Sequence, residues 1–329
     1  ELPTPELGAE VGGLREQIVE ALAHDFDVTP GKIDACVLPL LAPAAKDGDN
    51  AVTVAVRNGT TICAVYPGFA DRATGVAVDV GSTTIAAHLV DLASGEILAT
   101  NGIMNPQIRF GDDLMSRVSY VMMNPGGDIE LTRAVRTALD TMIGELVDEV
   151  ALKRDAVLDM SIVANPIMHH VLLGIDPTPL GQAPFTLATD GPVTTRADDL
   201  DLDARFAEAY LLPCIAGHVG ADTAGAILAE GPHRGHGRQL LVDVGTNAEI
   251  VFGNADHILA ASSPTGPAFE GAQISAGMRA TAGAIERVRI DRETLDPRVK
   301  VIGSDVWSND PLFDMQTTTL DISGICGSG

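Results

Sequence analysis

The chain has 329 residues and a formal charge of −24, from 21 Lys and Arg against 45 Asp and Glu, and its pI is about 4.4. That length fits two or three domains of ~100–200 residues each, and a hydrophobic share of 46% supplies aliphatic material for a sizeable core although aromatics make up only 4%. The acidity argues against nonspecific binding to nucleic acid or anionic membrane, each of which needs a basic face; it reads instead as a solubility adaptation to salty surroundings.

No signal peptide and no bilayer-length apolar run is visible, so the sequence reads as cytoplasmic. Cys36, Cys63, Cys214 and Cys326 lie far apart with no Cys-x-x-Cys pair. Their spacing argues against a zinc site or iron–sulfur cluster within this chain, and against a disulfide framework.

Residues 1–70 read as a small α+β module. Leu14, Ile18, Val19 and Leu22 share one face of a short helix. Thr29-Pro30 reads as a cap followed by proline at the first helical position, predicting a second helix through about Leu41. Two apolar runs, 51–57 and 60–66, flank Asn58-Gly59, a strong hairpin signal, and Pro67-Gly68 closes the module.

From about Gly75, three apolar runs separated by turns predict strand, turn, strand, turn, strand. A long helix is expected over residues 129–152 and a buried strand over 157–164. Asn165-Pro166 then opens a short helix carrying Met168, His169 and His170. Residues 174–205, rich in Pro, Gly, Thr and Asp, read as loop. After Leu211-Leu212-Pro213 comes Gly217-His218-Val219-Gly220-Ala221-Asp222. The small residues Ala221, Ala224, Gly225 and Ala226 suit a helix that packs closely against a neighbour, as a hinge between two lobes would. A linker over 231–237 precedes the last third. The chain opens at Glu1 and stops at Gly324-Ile325-Cys326-Gly327-Ser328-Gly329, a glycine turn of the kind that leads into a helix. A piece of a longer protein is therefore expected.

One phosphate-binding pattern occurs twice. Val76-Ala77-Val78-Asp79-Val80-Gly81-Ser82-Thr83-Thr84 recurs as Leu240-Leu241-Val242-Asp243-Val244-Gly245-Thr246-Asn247. Each copy continues into two further apolar runs, so the unit is duplicated. An Asp at a strand end can hold a hydrated divalent cation. Glycine lets the backbone approach a phosphate with no Cβ in the way, and hydroxyls and turn N–H groups supply donors. Such a duplication points to two similar subdomains facing each other across a cleft.

Paired Asp-x-Gly hairpins, a small-residue connecting helix and a later glycine turn resemble the superfamily of sugar kinases, heat-shock ATPases and actin. That resemblance implies an α/β protein of two ribonuclease-H-like lobes with ATP and Mg²⁺ in a cleft between them. The expected division is a module over 1–70, a first lobe over 71–232 and a second over 233–329. Asp79 to Thr84 would be the first phosphate loop and Asp243 to Asn247 the second. Gly217 to Glu230 would be the connecting helix, and Gly324 to Gly329 the adenosine loop.

A narrower resemblance rests on Asn105-Pro106-Gln107 with Phe110-Gly111-Asp112-Asp113 and Ser116-Arg117, and on Asn165-Pro166-Ile167-Met168-His169-His170. It rests also on Gly217 to Asp222, on Ser263-Pro264-Thr265-Gly266-Pro267-Ala268-Phe269-Glu270-Gly271 and on the final glycine turn. In this order, over about residues 75–329, these motifs look like the reductive activators of corrinoid-dependent methyltransferases. Leu2-Pro3-Thr4-Pro5-Glu6-Leu7 also resembles the start of the middle module of these activators.

The resemblance implies ATP-dependent return of inactive cobalt(II) to cobalt(I), with a corrinoid protein or methyltransferase as partner. It also implies a ferredoxin-type [2Fe–2S] electron donor, expected in a domain missing from this chain or in a separate protein. Asp79 and Asp243 would bind Mg²⁺ and be catalytic, Asp243 orienting the attacking water. Gly81, Ser82, Thr83, Thr84, Gly245, Thr246, Asn247, Gly266, Gly324, Gly327 and Ser328 would bind ATP. Two other functions are compatible with the residues: a small-molecule kinase, with Asp222 as base, and a non-catalytic ATP-switched binding protein. A homodimer is left open.

The remaining notable residues have plainer readings. Adjacent histidines cannot easily face one ion, so His169, His170 and His218 are expected to pack or touch a partner. Arg109 and Arg117 either neutralise phosphate or an acidic partner, or are solvated surface residues. Met104, Met115, Met122 and Met123 are core or a soft contact surface, and Cys326 is a small packing residue.

Overall fold

The computed structural model describes residues 1–3, 12–245, 247–264, 276–278 and 281–326. The chain forms two compact units, Glu1–Ala224 and Gly225–Gly329.

The first unit opens with α1 (Leu14–Phe26), β1 (Lys32–Ile33), α2 (Leu41–Asp47), β2 (Val52–Arg57) and β3 (Thr61–Pro67). β3 pairs antiparallel with β2 and parallel with β1. Asn58 and Gly59 both take positive φ, 52° and 68°, as the turn that matches strand twist requires. The helix expected after Thr29-Pro30 is not there. Lys32 and Asp34 donate their N–H groups to Thr60 O and Ile62 O instead, and α-helix begins only at Leu41, after a 3₁₀ turn over Leu38–Leu40. A ladder on the edge of β3 outweighs a local capping signal, because pairing satisfies backbone groups that a cap alone would not.

This module does not stand apart. Ile18, Val37, Leu41, Ile62 and Ala64 share a buried cluster with Leu158 and Phe206. The Tyr66 and Phe206 rings meet edge-on at 5.7 Å, and Arg57 Nη2 donates to Leu158 O and Phe206 O. The chain position expected as a boundary, residue 70, falls inside the first compact unit.

The larger sheet of this unit contains β4 (Thr74–Val80), β5 (Thr84–Asp91), β6 (Ile97–Met104), β7 (Val157–Ala164), β8 (Val193–Arg196) and β9 (Glu208–Leu211). Its order is β6-β5-β4-β7-β9-β8. β4, β7 and β9 run parallel, while β5 runs antiparallel to β4 and β6, and β8 antiparallel to β9. This three-strand meander extended by parallel crossovers is the ribonuclease-H-like arrangement.

Helices α3 (Leu114–Met123), α4 (Gly127–Glu149) and α5 (Pro166–Leu173) lie between β6 and β8 in sequence, and α6 (Ala221–Glu230) follows β9. α4 buries Leu131, Val135, Leu139, Met142, Ile143 and Leu146 in one cluster with Val76, Val78, Val80, Ile85 and Leu89. Each such aliphatic side chain contributes roughly 1.5–3 kcal/mol on burial. The stretch expected as loop, 174–205, holds β8. Its four residues carry no apolar alternation, and only pairing with β9 defines it as a strand.

The second unit repeats the meander as β10 (Gln239–Val244), β11 (Asn247–Gly253) and β12 (Ile258–Pro264), all antiparallel. A hairpin of β13 (Ile285–Ile290) and β14 (Pro297–Val301) follows, then α7 (Phe313–Thr317). Ile325 bridges in parallel to both Gly277 and Ile285. The chain is thus α/β, with a ribonuclease-H-like sheet in one unit and its opening meander repeated in the other. Among the described residues no helix is long and apolar enough to cross a membrane.

Candidate functional site

The first loop joins β4 to β5. Alternation along β4 sends Val76, Val78 and Val80 into the core and leaves Asp79 exposed on the other face. A Cβ on Gly81 would stand 2.5 Å from Thr84 O, so the turn has room only for glycine.

The carbonyls of this loop are held from within the protein. Gly81 O accepts Asn105 Nδ2 at 2.8 Å, Ser82 O accepts Arg117 Nη2 at 2.6 Å, and Thr83 O accepts the Asn105 N–H at 2.8 Å. Asn105 Oδ1 takes the Gln107 N–H at 2.9 Å. Gln107 Nε2 donates to Leu131 O at 2.8 Å, tying the cluster to α4. Arg117, 1% exposed, also donates through Nε to Gly111 O at 3.1 Å and through Nη1 to Gln107 Oε1 at 3.4 Å. Neither sequence reading of Arg117 anticipated this, for it is neither solvated nor presented at the surface. Arg109 is the exposed one, with its guanidinium 4.6 Å from the Phe110 ring centre.

The second loop joins β10 to β11. Gly245 donates its N–H to Asn247 O at 2.8 Å, which closes the turn; Thr246 lies outside the described residues. Asp243 stands directly across the ladder from Glu249, whereas Asp79 stands across from Ala86. Residues so paired share a face, and like charges there repel. Glu249 Oε1 accepts the Ser262 hydroxyl at 3.1 Å. The sequence reading missed Glu249, although its place two residues after Asn247 would bring it opposite Asp243 in any tight hairpin.

Among the described residues no group of three or more His, Cys, Asp and Glu is placed to hold a metal. Nucleotide-bound Mg²⁺ does not need one, since it binds through one or two carboxylates, phosphates and water. Exposed aspartates at the ends of β4 and β10 suit that role.

Of the expected adenosine loop, Gly324 is buried. Its carbonyl accepts the Ile285 N–H at 3.0 Å, and a Cβ there would stand 2.6 Å from Ala276 O. Gly266, Gly327 and Ser328 lie outside the described residues. Cys326 is buried, its Sγ donating to Ile285 O at 3.3 Å. Burial raises the Cys36 and Cys63 thiols and pushes Cys214 up to about 11, so these three stay protonated near neutrality.

The expected connecting helix starts late. Ala216 and Val219 exchange both backbone hydrogen bonds around Gly217-His218, a tight hairpin, and helix begins at Ala221. Gly220 lies against the chain at β7's end, where a Cβ would stand 2.6 Å from Ala164 O. Asp222 is half-buried and accepts the Thr223 N–H at 2.7 Å.

His218 is exposed and meets the Phe185 ring at 4.3 Å, while His169 and His170 are buried. His170 Nε2 accepts the Ala188 N–H, which leaves Nδ1 as the proton carrier toward Pro166 O. Among the described residues neither ring nitrogen of His169 has a hydrogen-bond partner. Burial first, and His170 beside it second, bring its pKa down to about 4. Met104, Met115, Met122 and Met123 are exposed and form surface rather than core.

Two family models match in succession: the RACo middle region over residues 74–235, and the C-terminal domain of RACo, the ASKHA domain, over residues 238–329. The chain is 34% identical over 215 residues to the corrinoid activation enzyme RamQ of Eubacterium limosum, covering 65% of this chain and 36% of RamQ. It is 27% identical over 225 residues to a Co(II) methylated amine-specific corrinoid protein reductase of Methanosarcina barkeri, covering 64% and 40%. A solved reductive activator for corrinoid, iron-sulfur protein superposes with a TM-score of 0.79 at 31% identity, covering 100% of this chain and 50% of that one. The chain thus spans half or less of the length of these relatives.

Proposed function

The chain belongs to the family of reductive activators of corrinoid proteins, and from that premise we propose that it supplies the ATP-binding and ATP-hydrolysing part of such an activator. The reaction served is the one-electron return of a corrinoid protein's cobalt(II) to cobalt(I). The observation that carries the nucleotide reading is the duplicated hairpin: two meanders of the same pairing, each with an exposed aspartate two residues before a turn glycine.

In this reading turn N–H groups and hydroxyls of the segments Gly81 to Thr84 and Gly245 to Asn247 donate to phosphate oxygens, apart from the Gly245 N–H, which closes its turn on Asn247 O. Gly266, Gly324, Gly327 and Ser328 complete nucleotide binding. Asp79 and Asp243, each at the end of its own meander, are the carboxylates that would serve Mg²⁺, and Asp243, with Glu249 beside it, would orient the water that attacks the γ-phosphate. Mg²⁺ would supply neutralisation of phosphate charge. The protein's own contribution is positioning and preorganised donors. The electron comes from a ferredoxin-type [2Fe–2S] donor and the partner is a corrinoid protein or corrinoid-dependent methyltransferase. Cobalt(II) reduction is uphill, so hydrolysis is the step that makes it proceed.

The test combines the complete protein, a corrinoid partner in the cobalt(II) state and a chemical reductant. The cobalt(I) absorption band is expected with ATP and absent with ADP or no nucleotide. A band of equal size without ATP contradicts the coupling. ATP use driven by a small molecule that becomes phosphorylated, with no response to the corrinoid protein, makes the chain a kinase instead.

A further inference from the structure

We infer that Arg117 and Asn105 are positioning residues of the first phosphate loop, clamping three consecutive carbonyls inward so that the loop's N–H groups face its anionic ligand. The ligand named here, the phosphate chain of ATP, rests on the nucleotide reading above; the clamp rests on geometry alone.

The geometry is that of the trans peptide. Among the described residues the single cis bond is Ala183–Pro184, so every peptide of this loop is trans and planar. In such a unit the C=O and the next residue's N–H point in opposite directions. Asn105 Nδ2 holds Gly81 O at 2.8 Å, which turns the Ser82 N–H away from the buried cluster. Arg117 Nη2 holds Ser82 O at 2.6 Å and turns the Thr83 N–H away likewise. The Asn105 N–H secures Thr83 O at 2.8 Å.

The two clamping residues are themselves fixed. Asn105 caps the turn over Pro106–Phe110 through its Oδ1. Arg117 reaches Gly111 O and Gln107 Oε1 at the same time, and Gln107 is anchored to α4 at Leu131 O. A planar guanidinium can satisfy several carbonyls set at fixed angles, whereas an ammonium on a flexible stem cannot. Gly81 completes the arrangement, because a Cβ there would collide with Thr84 O. Preorganised donors are worth more than donors that must be ordered on binding, and a buried Arg whose partners include a phosphate-loop carbonyl serves that end.

Three substitutions test this in the full chain: Arg117→Met, Arg117→Lys and Asn105→Ala. Arg136→Met is the control, since Arg136 bonds to Leu172 O and Asp201 and makes no bond to the loop. The first readout is amide hydrogen exchange in the ligand-free protein. Arg117→Met and Asn105→Ala should speed exchange of the amides at residues 105 and 107, which donate to Thr83 O and to Asn105 Oδ1, by about 10-fold or more, with β7 unchanged. The second readout is affinity for MgATP and for adenosine. MgATP should weaken by about 10-fold or more in Arg117→Met, partly recover in Arg117→Lys, and stay unchanged in Arg136→Met, while adenosine binding holds throughout.

Folded Arg117→Met and Asn105→Ala proteins with unchanged exchange at residues 105 and 107 overturn the clamp. So does a parallel fall in MgATP and adenosine affinity that tracks a lower melting temperature, which assigns the residues to stability alone. Should Arg117→Met fail to fold, Asn105→Ala and Arg117→Lys decide. If the wild-type chain binds no MgATP, the nucleotide reading fails and the exchange readout still decides the clamp.

Discussion

The two meanders of this chain share strand order and pairing direction, yet differ by one residue in the turn and in what surrounds them. In β4 the inward valines Val76, Val78 and Val80 are at most 3% exposed, packed in one core with α4. Their counterparts in β10, Leu240, Val242 and Val244, are 45–64% exposed. β4 pairs on both edges, with β5 and β7; among the described residues β10 pairs only with β11. The loops differ as well. Three carbonyls of the first are gripped from behind, and the second sets a carboxylate pair face to face across its ladder. A motif of alternating apolar residues, Asp and Gly therefore dictates a hairpin, while burial and electrostatics come from what packs on it.

The widest gap between the loops is expected in catalysis. In the complete protein, Asp243→Asn should lower ATP turnover by about 10²-fold or more, by the cost of removing a positioned catalytic group. Glu249→Gln should cost about 10-fold, since it spares Asp243 but removes the neighbouring charge. Wild-type turnover in Glu249→Gln would show that the carboxylate pair, the clearest chemical asymmetry between the copies, has no catalytic role.

A second difference concerns pH, through buried His169 in the first unit. Its pKa in the folded state is about 4 against an ordinary 6.5. Below 6.5 the unfolded chain takes up a proton that the folded chain refuses, so stability is intact above 6.5 and falls as pH drops toward 4. The loss should reach up to roughly 3 kcal/mol. Denaturant melts from pH 7 to 4 should show His169→Leu losing less stability with acid than the wild type. Identical pH profiles would mean that the imidazole acquires a partner when protonated.

The smallest expected effects come from the paired valines. Val78→Ala should cost about 2 kcal/mol, as core truncations do. Val242→Ala should cost under ~0.5 kcal/mol, as exposed substitutions do. Denaturation midpoints read both. Equal losses would mean that the β10 face is covered in solution.

What could be read from the sequence follows the same division. Both meanders, the hairpin at Asn58-Gly59 and the strand before Asn165 were legible, because each couples an apolar run to a turn residue with its own backbone preference. The helix expected after Thr29-Pro30 was displaced by pairing with β3, a partner about 30 residues away that no local window contains. β8 lacks alternation and exists through β9. Asp79, Gly81, Asp243 and Gly245 announce themselves as a repeated pattern. Arg117 and Asn105 do not, since their contact with the loop depends on chain folding back over 24 to 35 residues. Glu249 was within reach of the sequence, because a tight hairpin fixes which residues face each other.

The account stands or falls on whether both loops handle nucleotide phosphate despite their different surroundings. Calorimetric titration of MgATP into the chain, and into Asp79→Asn and Asp243→Asn, tests that directly. Saturable binding that each substitution weakens by about 10-fold or more is the expected result. No binding to the wild type, or binding that survives either substitution undiminished, would contradict it.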